Sequence, residues 1–127
     1  MNVQEWSRMD SITWILIAAI IVLVASRFMP AKGINNISVQ EAKDKFNSKD
    51  VQFIDVRTPG EYKANHRKPF RNIPLQSLSG EADTLDKDKE VVVICQSGMR
   101  SLRASKMLRK MGFKKISNVR GGMSSWS

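Results

Sequence analysis

The chain has a single cysteine, Cys95, a single histidine, His66, and no internal repeat or low-complexity tract in its 127 residues. One cysteine excludes an intramolecular disulfide and argues against a cysteine-based zinc site. A free thiol suits a reducing compartment. Aromatic residues make up 7%, and the basic residues are scattered with no aromatic-interleaved basic motif, so nucleic acid is not an expected partner. What is present is a globular composition, 42% hydrophobic and 26% charged. It is enough for one soluble domain of ordinary size and a short extra segment.

Negative charge is in short supply as well. Lys and Arg number 21 against 12 Asp and Glu, a net charge of +9. Before residue 12 the charged side chains are only Glu5, Arg8 and Asp10, so the positive excess belongs to the rest of the chain. Such a balance fits an anionic membrane surface or anionic small substrates.

Residues 12–25 (ITWILIAAIIVLVA) contain no charge. With Ser11, Ser26 and the flank to Met29 the stretch approaches the ~20 residues that cross a bilayer. Trp6, Trp14 and Phe28 are candidate interface anchors. Residues 1–29 are therefore expected to form an N-terminal transmembrane helix, with membrane contact through residues 11–29. A secretory signal peptide is the first alternative: Val24-Ala25-Ser26 offers a cleavage site, but the nearly neutral start lacks the basic region such peptides carry. A buried core helix is the second, and it would be striped rather than apolar all round. Arg27, Lys32, Lys43, Lys45 and Lys49 come after the stretch and only Arg8 precedes it. The positive-inside rule then places residues 27–127 in the cytoplasm, as a single-pass protein of the cell inner or plasma membrane.

Residues 30–36 read as a linker, with Pro30 and Gly33 as breakers. Residues 37–127 read as one domain. Ser38 and Glu41 form a capping box that opens a helix to about Phe46. Residues 51–56 (VQFIDV) form a short apolar strand, and Thr58 and Glu61 a second capping box. Residues 79–89 are polar, a helical turn and loop. Residues 91–94 form a buried strand, residues 102–111 a helix closed by Gly112, and residues 116–119 another strand. Strands alternating with helices argue for an α/β fold with a mainly parallel sheet covered on both faces. In such folds active sites sit at the carboxyl ends of the strands, and Asp55, Arg57 and Cys95 all lie at such ends.

The one thiol sits between the strand at 91–94 and the next helix, in Cys95-Gln96-Ser97-Gly98-Met99-Arg100-Ser101. On a strand-to-helix turn, backbone N–H groups and the positive end of a helix both favour a thiolate. The position suits a nucleophile or an anion cradle; the alternative is a buried cysteine acting as a small apolar residue.

Taken together, Phe53-Ile54-Asp55-Val56-Arg57, Glu61-Tyr62, Asn72-Ile73-Pro74-Leu75, the Cys95 to Arg100 loop, and Gly121-Gly122-Met123 with Trp126 resemble the single-domain rhodaneses, a sulfurtransferase family. The resemblance covers about residues 37–126. It implies a rhodanese-like parallel sheet flanked by helices, here preceded by the transmembrane helix. It further implies that Cys95 is the catalytic, sulfur-accepting nucleophile and that Gln96, Ser97, Gly98, Met99 and Arg100 form the substrate-binding loop. In that loop Arg100 helps to bind an anionic donor. Asp55 and Arg57 support the loop from the neighbouring strand. Where family members carry Gly-His-Ile followed by Gly-Ala, this chain has Asn65-His66-Arg67-Lys68-Pro69-Phe70-Arg71, and only the histidine survives. By the resemblance His66 is structural, although a lone histidine invites a general-base role by analogy with thiol proteases.

The implied chemistry moves a sulfane sulfur from a small anionic donor (thiosulfate or a persulfide) through a Cys95 persulfide to a thiol or cyanide acceptor, with no metal or organic cofactor. Related folds built on a cysteine, five residues and an arginine handle phosphate or arsenate. Here four residues intervene between Cys95 and Arg100, and the tighter loop fits a terminal sulfur better than a tetrahedral oxyanion. The alternative is a sulfur carrier or docking module at the membrane without turnover on small donors. A redox-sensing thiol is weaker, since no second cysteine is present to resolve it.

Overall fold

The structure is a computed structural model that describes residues 3–28 and 33–126, with side chains described from residue 10 to residue 25 in the first of these. The chain divides into two compact units, residues 1–30 and 31–127.

The first unit is a single helix, α1 (Val3–Phe28). Side chains 11–25 are exposed, including Trp14 at 64% and Ile15 at 69%. Among the described residues no helix is long and apolar enough to cross a membrane. The expectation of a transmembrane helix is therefore not supported among these residues, and the reason is length. The sixteen uncharged residues 11–26, at a rise of about 1.5 Å, cover roughly 24 Å, against a hydrocarbon core of about 30 Å. The expected span leaned on its flanks, and Met29 and the side chains at 26–28 lie outside the described residues, as do the side chain of Trp6 and linker residues 30–32.

The second unit carries a five-stranded sheet in the order β1-β5-β4-β2-β3, with every pairing parallel. The strands are β1 (Ile34–Ile37), β2 (Val51–Asp55), β3 (Arg71–Asn72), β4 (Glu90–Ile94) and β5 (Ile116–Val119). β1 falls largely in the stretch expected as a linker. Its two central residues, Asn35 and Asn36, are exposed between buried ends, so it lacks the alternation that marks a strand.

β4 is central and buried along its whole length, and for that reason it reads as an unbroken apolar run from Val91 to Ile94. Val91, Val93 and Cys95 face one core cluster with Ala104, Leu108 and Phe113. Val92 and Ile94 face the other, with Ala42, Phe53 and Phe70. The helices covering these faces include α2 (Val39–Asp44), α4 (Leu78–Glu81) and α5 (Met99–Lys110), and α3 (Pro59–Ala64) lies between β2 and β3 in the chain. Both capping boxes form: Glu41 N–H donates to Ser38 Oγ at 3.1 Å and Ser38 N–H to Glu41 Oε1 at 3.2 Å, with the same exchange between Thr58 and Glu61. α5 buries Ser101, Ala104, Ser105 and Leu108, spaced to line one helical face. It starts at Met99 rather than Leu102, so Met99, Arg100 and Ser101 belong to its first turn. In the register of the sheet Asp55 pairs with Ile94, which sets the end of β2 beside the start of the Cys95 loop.

Candidate active site

Cys95 comes directly after the last residue of β4 and is fully buried. The chain reaches α5 in only three further residues, and it does so through Gly98, whose φ is +99°. That left-handed value suits glycine, and a Cβ there would stand 3.3 Å from the Gly121 backbone nitrogen. The turn aims the Gly98 N–H at Cys95 Sγ, 3.0 Å away. On the other side Cys95 Sγ and Ser101 Oγ lie 3.3 Å apart: as a thiol the sulfur donates to the hydroxyl, whose own proton goes to the Gly98 carbonyl at 3.1 Å, and once the sulfur is ionised the same hydroxyl turns to donate to it.

These partners decide the charge state of the sulfur. Burial pushes the Cys95 thiol up. Hydrogen bonds from the Ser101 hydroxyl and from the backbone of Ser101, Gly98 and Ser97 pull it down, and together they win: the thiol lies below its ordinary value. The thiolate is the nucleophilic form, and a buried one is tolerable only with such donors.

A second loop braces the first. After β5 the chain turns at Gly121 and Gly122, with φ of +72° and +55°. A side chain at Gly122 would collide with the Cys95 carbonyl. That closeness lets Met123 N–H donate to Cys95 O at 2.8 Å and Ser124 N–H to Gln96 O at 3.0 Å. Asp55 and Arg57 form a buried ion pair, Arg57 Nη2 to Asp55 Oδ2 at 2.8 Å. Arg57 also donates to the Asn65 carbonyl at 2.6 Å and reaches Gln96 Oε1 at 3.5 Å. It thus ties the end of β2 to both the Cys95 loop and the segment after α3. Asn72 Nδ2 donates to the Asp55 and Arg57 carbonyls, at 2.9 and 3.0 Å.

Arg100 is engaged with a carboxylate. Its Nη1 and Nη2 donate to Glu61 Oε1 and Oε2 at 2.6 and 2.8 Å. The hydrogen bond from Arg100, against the cost of burial and with help from Thr58, holds the Glu61 carboxyl down to about 2. Arg100 is raised in return, foremost by Glu61 and further down by the charges of Cys95 and Asp55. Of the remaining loop residues, Gln96, Ser97 and Met99 are exposed, Met99 at 74%. His66 hydrogen-bonds the Tyr62 carbonyl through Nδ1 at 2.8 Å and stacks on the Tyr62 ring. A groove of about 490 Å³ lies at the other end of the sheet, beside Val51 and Glu90 where β2 and β4 begin, and is lined by neither cysteine nor histidine.

Residues 38–127 match the Rhodanese-like domain family. The chain belongs to it. It is 35% identical to the uncharacterized protein YqhL of Bacillus subtilis over 88% of this chain and 87% of that one. It is 32% identical to Thiosulfate sulfurtransferase 18 of Arabidopsis thaliana, over 76% of this chain and 80% of that protein. The crystal structure of a rhodanese-like domain protein from Staphylococcus aureus is similar at a TM-score of 0.67 and 30% identity, covering 73% of this chain and 91% of that chain. The fold is therefore the rhodanese-like one, with its parallel sheet flanked by helices.

Sequence reasoning passed over Ser101, Glu61 and Gly122 as members of this site. Ser101 carried a signal, a hydroxyl one residue beyond the loop arginine. Glu61 carried only the capping signal it also satisfies. Ser101→Ala removes a hydrogen bond that favours the thiolate, so the pH profile of Cys95 alkylation by iodoacetamide moves to higher pH. The rate at neutral pH is expected to drop about tenfold; an unmoved profile contradicts the assignment.

Proposed function

We propose that this protein is a sulfurtransferase that carries sulfane sulfur on Cys95. The observation that supports this best is a fully buried thiol, on a strand-to-helix turn, hydrogen-bonded by the Gly98 amide and held below its ordinary pKa. Membership of the rhodanese-like family, and relatives named as sulfurtransferases, point the same way. The thiolate attacks the outer sulfur of a donor such as thiosulfate or a persulfide. A new S–S bond forms to Sγ, the donor's own S–S bond breaks, and its electron pair leaves on sulfite or on a thiolate. A thiol or cyanide then takes the outer sulfur and returns the Cys95 thiolate. Gly98 and its neighbours supply N–H groups to the charge wherever it sits on the disulfur unit.

One observation favours a slower variant of the same chemistry, a sulfur carrier that hands its load to a partner. Cys95 is fully buried and Arg100 is already paired with Glu61, so the resting loop offers a small dianion little free positive charge.

We also propose that the protein resides at the cell inner or plasma membrane, held through residues 11–29 with residues 27–127 on the cytoplasmic side. Ten large apolar side chains between Ile12 and Val24 are exposed on α1, more than a water-facing helix carries without a partner surface. The positive residues after the stretch set the orientation.

Cys95→Ala should abolish thiocyanate formation from thiosulfate and cyanide while leaving the thermal unfolding transition in place; retained turnover contradicts the mechanism. On cell fractionation the full chain should pellet with membranes and need detergent for release, while a 30–127 fragment stays in the supernatant. A full chain that remains in the supernatant removes the membrane proposal.

A further inference from the structure

The loop's arginine is not waiting for a substrate. Arg100 stands in the first turn of α5, and both of its terminal nitrogens are taken by the two oxygens of Glu61, at 2.6 and 2.8 Å. The two side chains are 37% and 35% exposed, so the pair lies at the solvent-facing side of the loop rather than in the core. Arg100 is near enough to Cys95 to feel its charge. Glu61 is also held from behind: Thr58 donates to Oε1 through its backbone N–H at 3.2 Å and its hydroxyl at 3.0 Å. It cannot swing away from Arg100 without giving up its capping box. The other nearby guanidinium, Arg57, is buried against Asp55.

We propose that Glu61 sets the donor class of this site: by keeping Arg100 neutralised it disfavours dianions such as thiosulfate and leaves monoanionic alkyl persulfides as the preferred donors. The inference rests on the sulfurtransferase reading of Cys95 and narrows it. A dianion gains from a guanidinium in proportion to its charge, and loses likewise from a carboxylate beside it. Here it meets both, as a pair with no net charge. An alkyl persulfide carries one charge on the sulfur to be transferred, which the loop N–H groups can hold. Its carbon tail has an apolar contact available in Met99, next to Arg100 in the loop and 74% exposed. With either donor Sγ forms a bond to the outer sulfur and the donor S–S bond breaks. The electron pair leaves on sulfite in one case and on the alkyl thiolate in the other, and no further oxidant or reductant enters.

Glu61→Gln tests the proposal. Glutamine at the third helical position still closes a capping box but releases Arg100 from its counter-charge. Single-turnover loading of Cys95, read by intact mass over a range of donor concentrations, separates half-saturation from maximal rate. With thiosulfate the half-saturating concentration should drop about three- to tenfold in Glu61→Gln. With an alkyl persulfide bearing an uncharged tail it should stay within about twofold. Glu61→Ala, which lacks the glutamine's hydrogen bonds, should shift the donor ratio in the same direction. Thr58→Ala loosens the cap but keeps the carboxylate, and should keep the wild-type donor ratio. Equal effects on both donors, or poorer use of thiosulfate by Glu61→Gln, overturn the proposal and leave Glu61 as a loop brace only. A wild-type protein that loads from neither donor overturns the sulfurtransferase reading itself, and this inference with it.

Discussion

The hydrogen bond from the Gly98 amide to Cys95 Sγ, 3.0 Å long, is the contact around which the rest of the domain is arranged. A sulfur with no exposure to solvent cannot draw on water to carry charge, so the protein must supply every donor. Gly98 can do so because the backbone turns left-handed there, between a strand that ends at Ile94 and a helix that begins at Met99. The bracing contacts keep that turn in place. The Gly121-Gly122 turn presses against the Cys95 carbonyl, and the residues just after it donate two N–H groups to the start of the loop. The Asp55–Arg57 pair fixes the neighbouring strand end and reaches Gln96. Ser101 closes the far side of the sulfur.

Positive charge is abundant in the chain yet rationed at the sulfur. Of 21 basic side chains, the one in the loop is neutralised by Glu61 and the one behind it by Asp55. The thiolate is therefore favoured mainly by backbone and hydroxyl donors rather than by a free cation. That distinction bears on what can enter. A site that stabilises its own anion with dipoles does not thereby attract a second, multiply charged one.

The centre of the sheet was legible because β4 is buried on both faces and so reads as a continuous apolar run at 91–94, with Val51, Phe53, Ile54 and Val56 marking the shorter run beside it. α2 and α3 were legible because each is opened by a local capping box. The cysteine loop could be placed from the order strand, cysteine, glycine, helix. What escaped has no local signature. β1 shows solvent two asparagines and is held by pairing with β5, some eighty residues away. The start of α5 was set three residues late because its N-cap is Gly98, with no side-chain cap. Glu61 satisfies a local rule so well that nothing hints at its second partner, Arg100, 39 residues further on. α1 is the opposite case: its apolar run is plain in the sequence, but the run is shorter than a bilayer is thick, and the flanking side chains that would extend it lie outside the described residues.

The central claim is that Cys95 takes up one sulfur atom as a persulfide. Intact mass of the purified protein, before and after exposure to a sulfane donor and again after cyanide, tests it most directly. A gain of one sulfur is expected, mapped to Cys95 and removed by cyanide with release of thiocyanate. A protein that stays folded, with Cys95 reduced, and gains no sulfur from either thiosulfate or an alkyl persulfide would contradict it.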